Sequence, residues 1–150
     1  MKLNWKGWFH ERHRFRFLMC GHKAVEAAAV CTILMVQGDI AGITLTHLAI
    51  ASKTGLLAIG PVLGVTLTRH AHHLANRWLC SALLAVSAFA ADAWIHKSHY
   101  PGAYTEAAMT AAGAFVLSVL ISYTPIGKYI DRMAESFHHE SLRSRRPFHG

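Results

Sequence analysis

Residues 107–125 read AAMTAAGAFVLSVLISYTP, and no charged residue falls between Glu106 and Lys128. A run of about 20 predominantly apolar residues is what an α-helix needs to cross the ~30 Å hydrocarbon core of a bilayer, where only a helix or a closed barrel satisfies its own backbone polar groups. The segment therefore predicts a transmembrane helix. Its small residues Ala107, Ala108, Ala111 and Ala112 permit close backbone approach, which makes this face a candidate helix contact within one chain or between copies.

Working outward, 78–95 is a second such segment, bracketed by Trp78 and Trp94 as interfacial anchors and carrying Asp92 as its one charge. The stretch 24–68 is apolar but too long for one helix, and Glu26, Gln37, Asp39, His47 and Lys53 interrupt it. Two spans fit, placed at 24–46 and 49–68; a competing placement starts the first helix near Phe17 and turns at Gln37, Gly38 and Asp39. The second of these spans contains Gly60, Pro61 and Gly64, a small-xxx-small pair beside a residue that removes a backbone donor, so a close helix approach and a kink are expected there.

The expected fold is an all-α integral membrane bundle of about four transmembrane helices, with the membrane domain at 24–126. The flanks are of another character. Residues 1–23 set Trp5, Trp8 and Phe9 before Arg12, Arg14 and Arg16, the composition of a basic interfacial segment, and the first span after it is expected to stay as an anchor rather than a cleaved leader. In 127–150, Ile130, Met133 and Phe137 follow Ile126 at helical spacing among Lys128, Asp131, Arg132 and Glu135, so the last span is expected to continue as an amphipathic extension. It ends in a basic tail with Arg143, Arg145 and Arg146, which with Arg12, Arg14 and Arg16 are candidates for anionic lipid headgroups.

Of 150 residues, 53% are hydrophobic and 15% charged, with net charge +7. Such a chain is too apolar for an ordinary soluble domain, and its basicity reports topology rather than a nucleic-acid partner. With both ends inside, thirteen of the fifteen Lys and Arg residues lie on one side, leaving Lys53 and Lys97 outside. That asymmetry predicts cytoplasmic N- and C-termini, as in a bacterial inner membrane. Cys20, Cys31 and Cys80 show no CxxC spacing and read as buried thiols.

Ionisable groups within spans are costly unless paired or hydrated, so Asp39, Lys53, Asp92 and Glu26 are the candidate functional residues. Asp39, Lys53 and Asp92 are expected in the outer half as one cluster, lining a path or pairing structurally. Asp92, His96 and His99 stand at i, i+4 and i+7, a two-histidine, one-carboxylate set able to hold Zn or Fe; interfacial histidines are the plainer reading. His70, His72 and His73 form a second cluster in a polar loop, and His22 and Glu26 stand one turn apart. His47 raises axial haem or pigment ligation, but CxxCH is absent, as are phosphate-loop and hydrolase motifs.

Three functions follow, led by a small oligomeric permeation protein: a channel, transporter or holin-like pore. A non-catalytic subunit or assembly factor of a larger membrane complex is the alternative. A metal-dependent membrane enzyme on Asp92, His96 and His99 is the third, set against a general expectation that the chain is not an enzyme. The expected partners are membrane lipids and either further copies of the chain or foreign subunits.

Overall fold

A computed structural model describes the backbone of residues 5–37, 42–68, 70–96 and 101–143, and their side chains except those of 5–11, 137, 138 and 140–143. It is all-helical among these residues: α1 (Trp5–Gln37), α2 (Leu45–Leu67), a 3-10 turn (Ala71–Ala75), α3 (Arg77–His96), α4 (Ala103–Ser122) and α5 (Pro125–Arg143). Four of the helices are long and apolar enough to cross a membrane, at Arg12–Gln37, Leu45–Leu67, Arg77–His96 and Ala103–Ser122. Among the described residues the chain is all-α, and its four long apolar helices suggest an integral membrane protein.

The first two spans differ from the placement at 24–46 and 49–68. Helix α1 ends at Gln37 and α2 starts at Leu45, so the turn follows the competing placement. The reason is local. Thr44 caps α2 by accepting from the His47 N–H at 3.3 Å, while His47 Nδ1 accepts from the Thr44 N–H at 3.3 Å, and this capping box fixes the helix start. His47 is thus a capping residue, with Nδ1 engaged by the backbone.

Residues 5–23 belong to the same continuous helix as the first span. Helix α1 runs unbroken through 33 residues, and Phe15 and Met19 are buried in a cluster with Val62, Leu74, Cys80 and Ile130. No proline interrupts 5–37, and Lys23 and Glu26, which look like a boundary in hydropathy, pair within the helix.

The four long helices form a ring in chain order, α1 against α2, α2 against α3, α3 against α4 and α4 against α1. Gly55 carries the α1–α2 approach: a Cβ there would stand 2.5 Å from the Ala24 carbonyl oxygen. Gly113 does the same for α4 against α1, where a Cβ would meet Val30 Cγ1 at 2.6 Å. Asn76 caps α3, its Oδ1 accepting from the Trp78 and Leu79 N–H groups at 3.1 and 3.3 Å.

Helix α5 does not continue α4 as one rod. Pro125 cannot donate to the Ile121 carbonyl, which instead accepts from the Thr124 N–H at 2.9 Å and the Thr124 hydroxyl at 2.5 Å. The helix restarts at Pro125 and packs Ile130 and Ala134 onto Phe15, Met19, Ala71 and Leu74, leaving Lys128 and Arg132 exposed. Gly127 permits this bend, since a Cβ there would lie 2.4 Å from Ser122 Cα. The amphipathic extension thus caps the basic end of the bundle.

Candidate functional site

Two sets of buried polar side chains lie inside the helix ring. Toward the basic end, Lys23 (6% exposed) and Glu26 (2% exposed) of α1 face α3 and α4. Lys23 Nζ donates to Glu26 Oε1 at 3.1 Å, to Glu26 Oε2 at 3.0 Å and to Ser118 Oγ at 2.7 Å. The Ser81 hydroxyl donates to Ser118 Oγ at 2.9 Å, joining α3 to the set. His22 Nε2 stands 2.8 Å from Glu26 Oε1, although this contact lies outside hydrogen-bonding geometry. A lysine and a carboxylate with all these donors engaged meet the requirement for charge away from water.

Toward the opposite end, Asp92 of α3 is fully buried. Its Oδ1 lies 2.7 Å from His96 Nδ1 one turn on, and its Oδ2 accepts from the Thr110 hydroxyl of α4 at 2.6 Å. Thr110, Ala114 and Ser118 follow one another at four-residue spacing on the buried face of α4, so one face presents a hydroxyl to each set. Between them lies an apolar layer of Ala27, Ala58, Leu84, Ala88, Ala91 and Ala114. From Ser81 to Asp92 along α3 the separation is about 16 Å at the helical rise.

The structure does not bring Lys53 to Asp92: Lys53 points out of the bundle from α2, next to the buried Thr54, and has no acidic partner among the described residues. Asp39 lies outside the described residues. Glu26, the remaining member of the candidate set, belongs to the other end. His96 is brought to Asp92, whereas His99 lies outside the described residues, and among those described no three His, Cys, Asp or Glu are disposed to hold a metal ion. Both Asp92 oxygens already have protein partners.

Gly60 and Gly64 are exposed, and among the described residues nothing lies within 4 Å of a Cβ added there. Of the α4 alanines, Ala107 is buried, Ala111 partly so, and Ala108 and Ala112 face outward. Arg14 is exposed and Arg12 and Arg16 are half-buried; Arg145 and Arg146 lie outside the described residues, as does the Arg143 side chain. His70, His72 and His73 gather around the 3-10 turn, the His72 and His73 rings 4.0 Å apart.

Ser81, Thr110 and Ser118 are the polar partners that sequence reasoning missed. Other hydroxyls here, such as Ser87 and Ser122, bond their own helix carbonyls, so a serine in an apolar helix is ambiguous by itself. The spacing of Thr110 and Ser118 was the available signal.

In comparison with known proteins, no family model, curated protein or solved structure significantly matches the chain.

Proposed function

We propose that this chain is a permeation protein whose permeant is the proton, moved through the interior of the helix ring rather than along Asp39, Lys53 and Asp92. One observation carries the reading: the ring encloses a carboxylate–imidazole pair at each end, His22 with Glu26 and His96 with Asp92, both at i, i+4. Imidazole titrates near neutrality, and ionisable groups inside a span are a functional signature by default. The side chains of the Ala27, Ala58, Leu84, Ala88, Ala91 and Ala114 layer exchange no protons, although the Cys31 thiol and the Thr54 and Ser87 hydroxyls are also buried in the bundle, so transfer across the layer requires transient hydration. A proton tolerates such an intermittent path, whereas a hydrated metal cation needs an open one.

On this reading the role is not enzymatic, and both ends of the chain face the cytoplasm, as the charge asymmetry favours. The test is purified protein in liposomes under an imposed potential: internal pH should change while potassium or chloride flux stays at the protein-free level.

A second reading, a docking subunit of a membrane complex, rests on Lys53. It stands about 12 Å along α2 from the helix start, exposed on a surface that also carries Gly60 and Gly64. A lysine at that depth calls for an acidic partner or a route to the headgroups. Stoichiometric foreign chains in particles extracted with mild detergent would favour this reading.

A further inference from the structure

Beneath α5, at the basic end, is a cavity of about 20 Å³ lined by Met19, His22, Lys23, Arg77, Ser81 and Asp131, among others. A cavity needs about 10 to 15 Å³ to hold a water molecule, together with two to four polar partners, and this one offers both. The cavity brings side chains of the buried set and of α5 to one space. On its inner wall are His22, Lys23 and Ser81 of the buried set; on its outer wall is Asp131, partly exposed on α5. His22 Nε2 lies 2.8 Å from Glu26 Oε1 but out of line with it, and His22 also lines the cavity, so the imidazole adjoins both Glu26 and the cavity.

We propose that this cavity is a water-bridged proton junction, with Asp131 as the proton-exchanging group between the surface and the His22–Glu26 pair. The proposal rests on the proton-permeation reading and names its mouth. In the inward-loading step the Asp131 carboxyl gives its proton to the cavity water as that water gives one of its own to His22 Nε2. One proton has then moved, the water is unchanged, and the imidazolium beside Glu26 is balanced by the carboxylate. The Asp131 carboxylate regains a proton from solvent.

The surroundings suit this role. The charged groups acting on Asp131 are Arg77 at the start of α3, Lys23 of α1 and Glu135 of α5, with His22 on the shared cavity wall. Burial holds the Asp131 carboxyl above the usual carboxylate range, more than Arg77 and Lys23 lower it, and Glu135 adds to the rise. Arg77 is partly diverted, its guanidinium lying 4.4 Å over the Tyr123 ring.

The experiment compares full-length wild type, Asp131→Asn, Asp131→Glu and Ser81→Thr in liposomes with a trapped pH dye, each first checked for helicity and monodisperse elution. Asp131→Asn should lower proton flux by about tenfold or more, as expected for loss of a proton-transfer group, and Asp131→Glu should restore most of it with a changed pH profile. Ser81→Thr keeps the hydroxyl but adds a methyl to the cavity wall, and should lower flux by displacing the water. An active wild type with Asp131→Asn unchanged would overturn the junction, as would equal losses in Asp131→Asn and Asp131→Glu, which would mark a packing role. A silent wild type would instead overturn the permeation reading on which the junction rests.

Discussion

Lys23 Nζ donates to Ser118 Oγ at 2.7 Å, a bond that ties α1 to α4 across 95 residues of sequence inside an apolar bundle. The same ammonium holds both oxygens of Glu26, so removing either ionic partner strands the other in a low-dielectric interior. Stranding one member of a buried pair typically costs about 3 to 5 kcal/mol, while replacing both members is far milder. Lys23→Met and Glu26→Gln should each lower the unfolding midpoint in detergent, and the double variant should recover much of the loss. Simple addition of the two losses would show that the pair is not coupled.

The glycines separate contacts within the chain from contacts beyond it. Gly55→Ala drives a methyl into the Ala24 carbonyl, backbone against backbone, and should cost about 1 to 3 kcal/mol as an overpacked contact. Among the described residues nothing lies within 4 Å of a Cβ at Gly60 or Gly64, so Gly60→Leu and Gly64→Leu should leave the monomer's stability close to wild type. A fall in particle mass on Gly60→Leu or Gly64→Leu would place a second chain on that face. Equal stability of Gly55→Ala and wild type would contradict the α1–α2 packing.

The existence of four spans was legible because long apolar runs in a chain of this length have few other destinations. The boundary between the first two was not, since Lys23 and Glu26 mark an edge in hydropathy yet sit one turn apart inside a continuous helix. Lys53 misleads in the opposite sense: a charge inside a span signals a need for a partner but not the direction in which it points. The i, i+4 spacing put Asp92 and His96 on one face, but as part of a metal set with His99 or as interfacial histidines, not as a buried hydrogen-bonded pair. Thr110, which completes the buried set, was not legible, because hydroxyls that bond their own helix share its sequence appearance.

Thr110→Val removes the donor to Asp92 Oδ2 while keeping the side-chain shape. A buried acceptor left without its partner costs about 1 to 3 kcal/mol, more for a charged one, so thermal stability should fall, and Thr110→Ser should restore it. The purified protein should carry no stoichiometric zinc or iron, because both Asp92 oxygens are committed to His96 and Thr110. Metal present in wild type and lost in His96→Ala would revive the metal site.

Because the Asp131 carboxyl is held above its ordinary value of 3.8, the folded chain keeps a proton that the unfolded chain has released. Stability from this group is therefore present at low pH and declines as pH rises through the window above about pH 4. Asp131→Asn should flatten that decline. A profile identical to wild type would show that Asp131 titrates alike in the folded and unfolded chain.

Proton movement through the ring is measured by internal pH in liposomes carrying the purified protein under an imposed potential, for wild type, Asp92→Asn and the Lys23→Met/Glu26→Gln double variant. Wild type should carry proton flux, and both variants, while folded, should lose about a hundredfold or more of it, since each lacks one of the two carboxylates on the path. Wild-type flux no faster than that of protein-free liposomes, or undiminished flux in both variants, would contradict proton movement by this path.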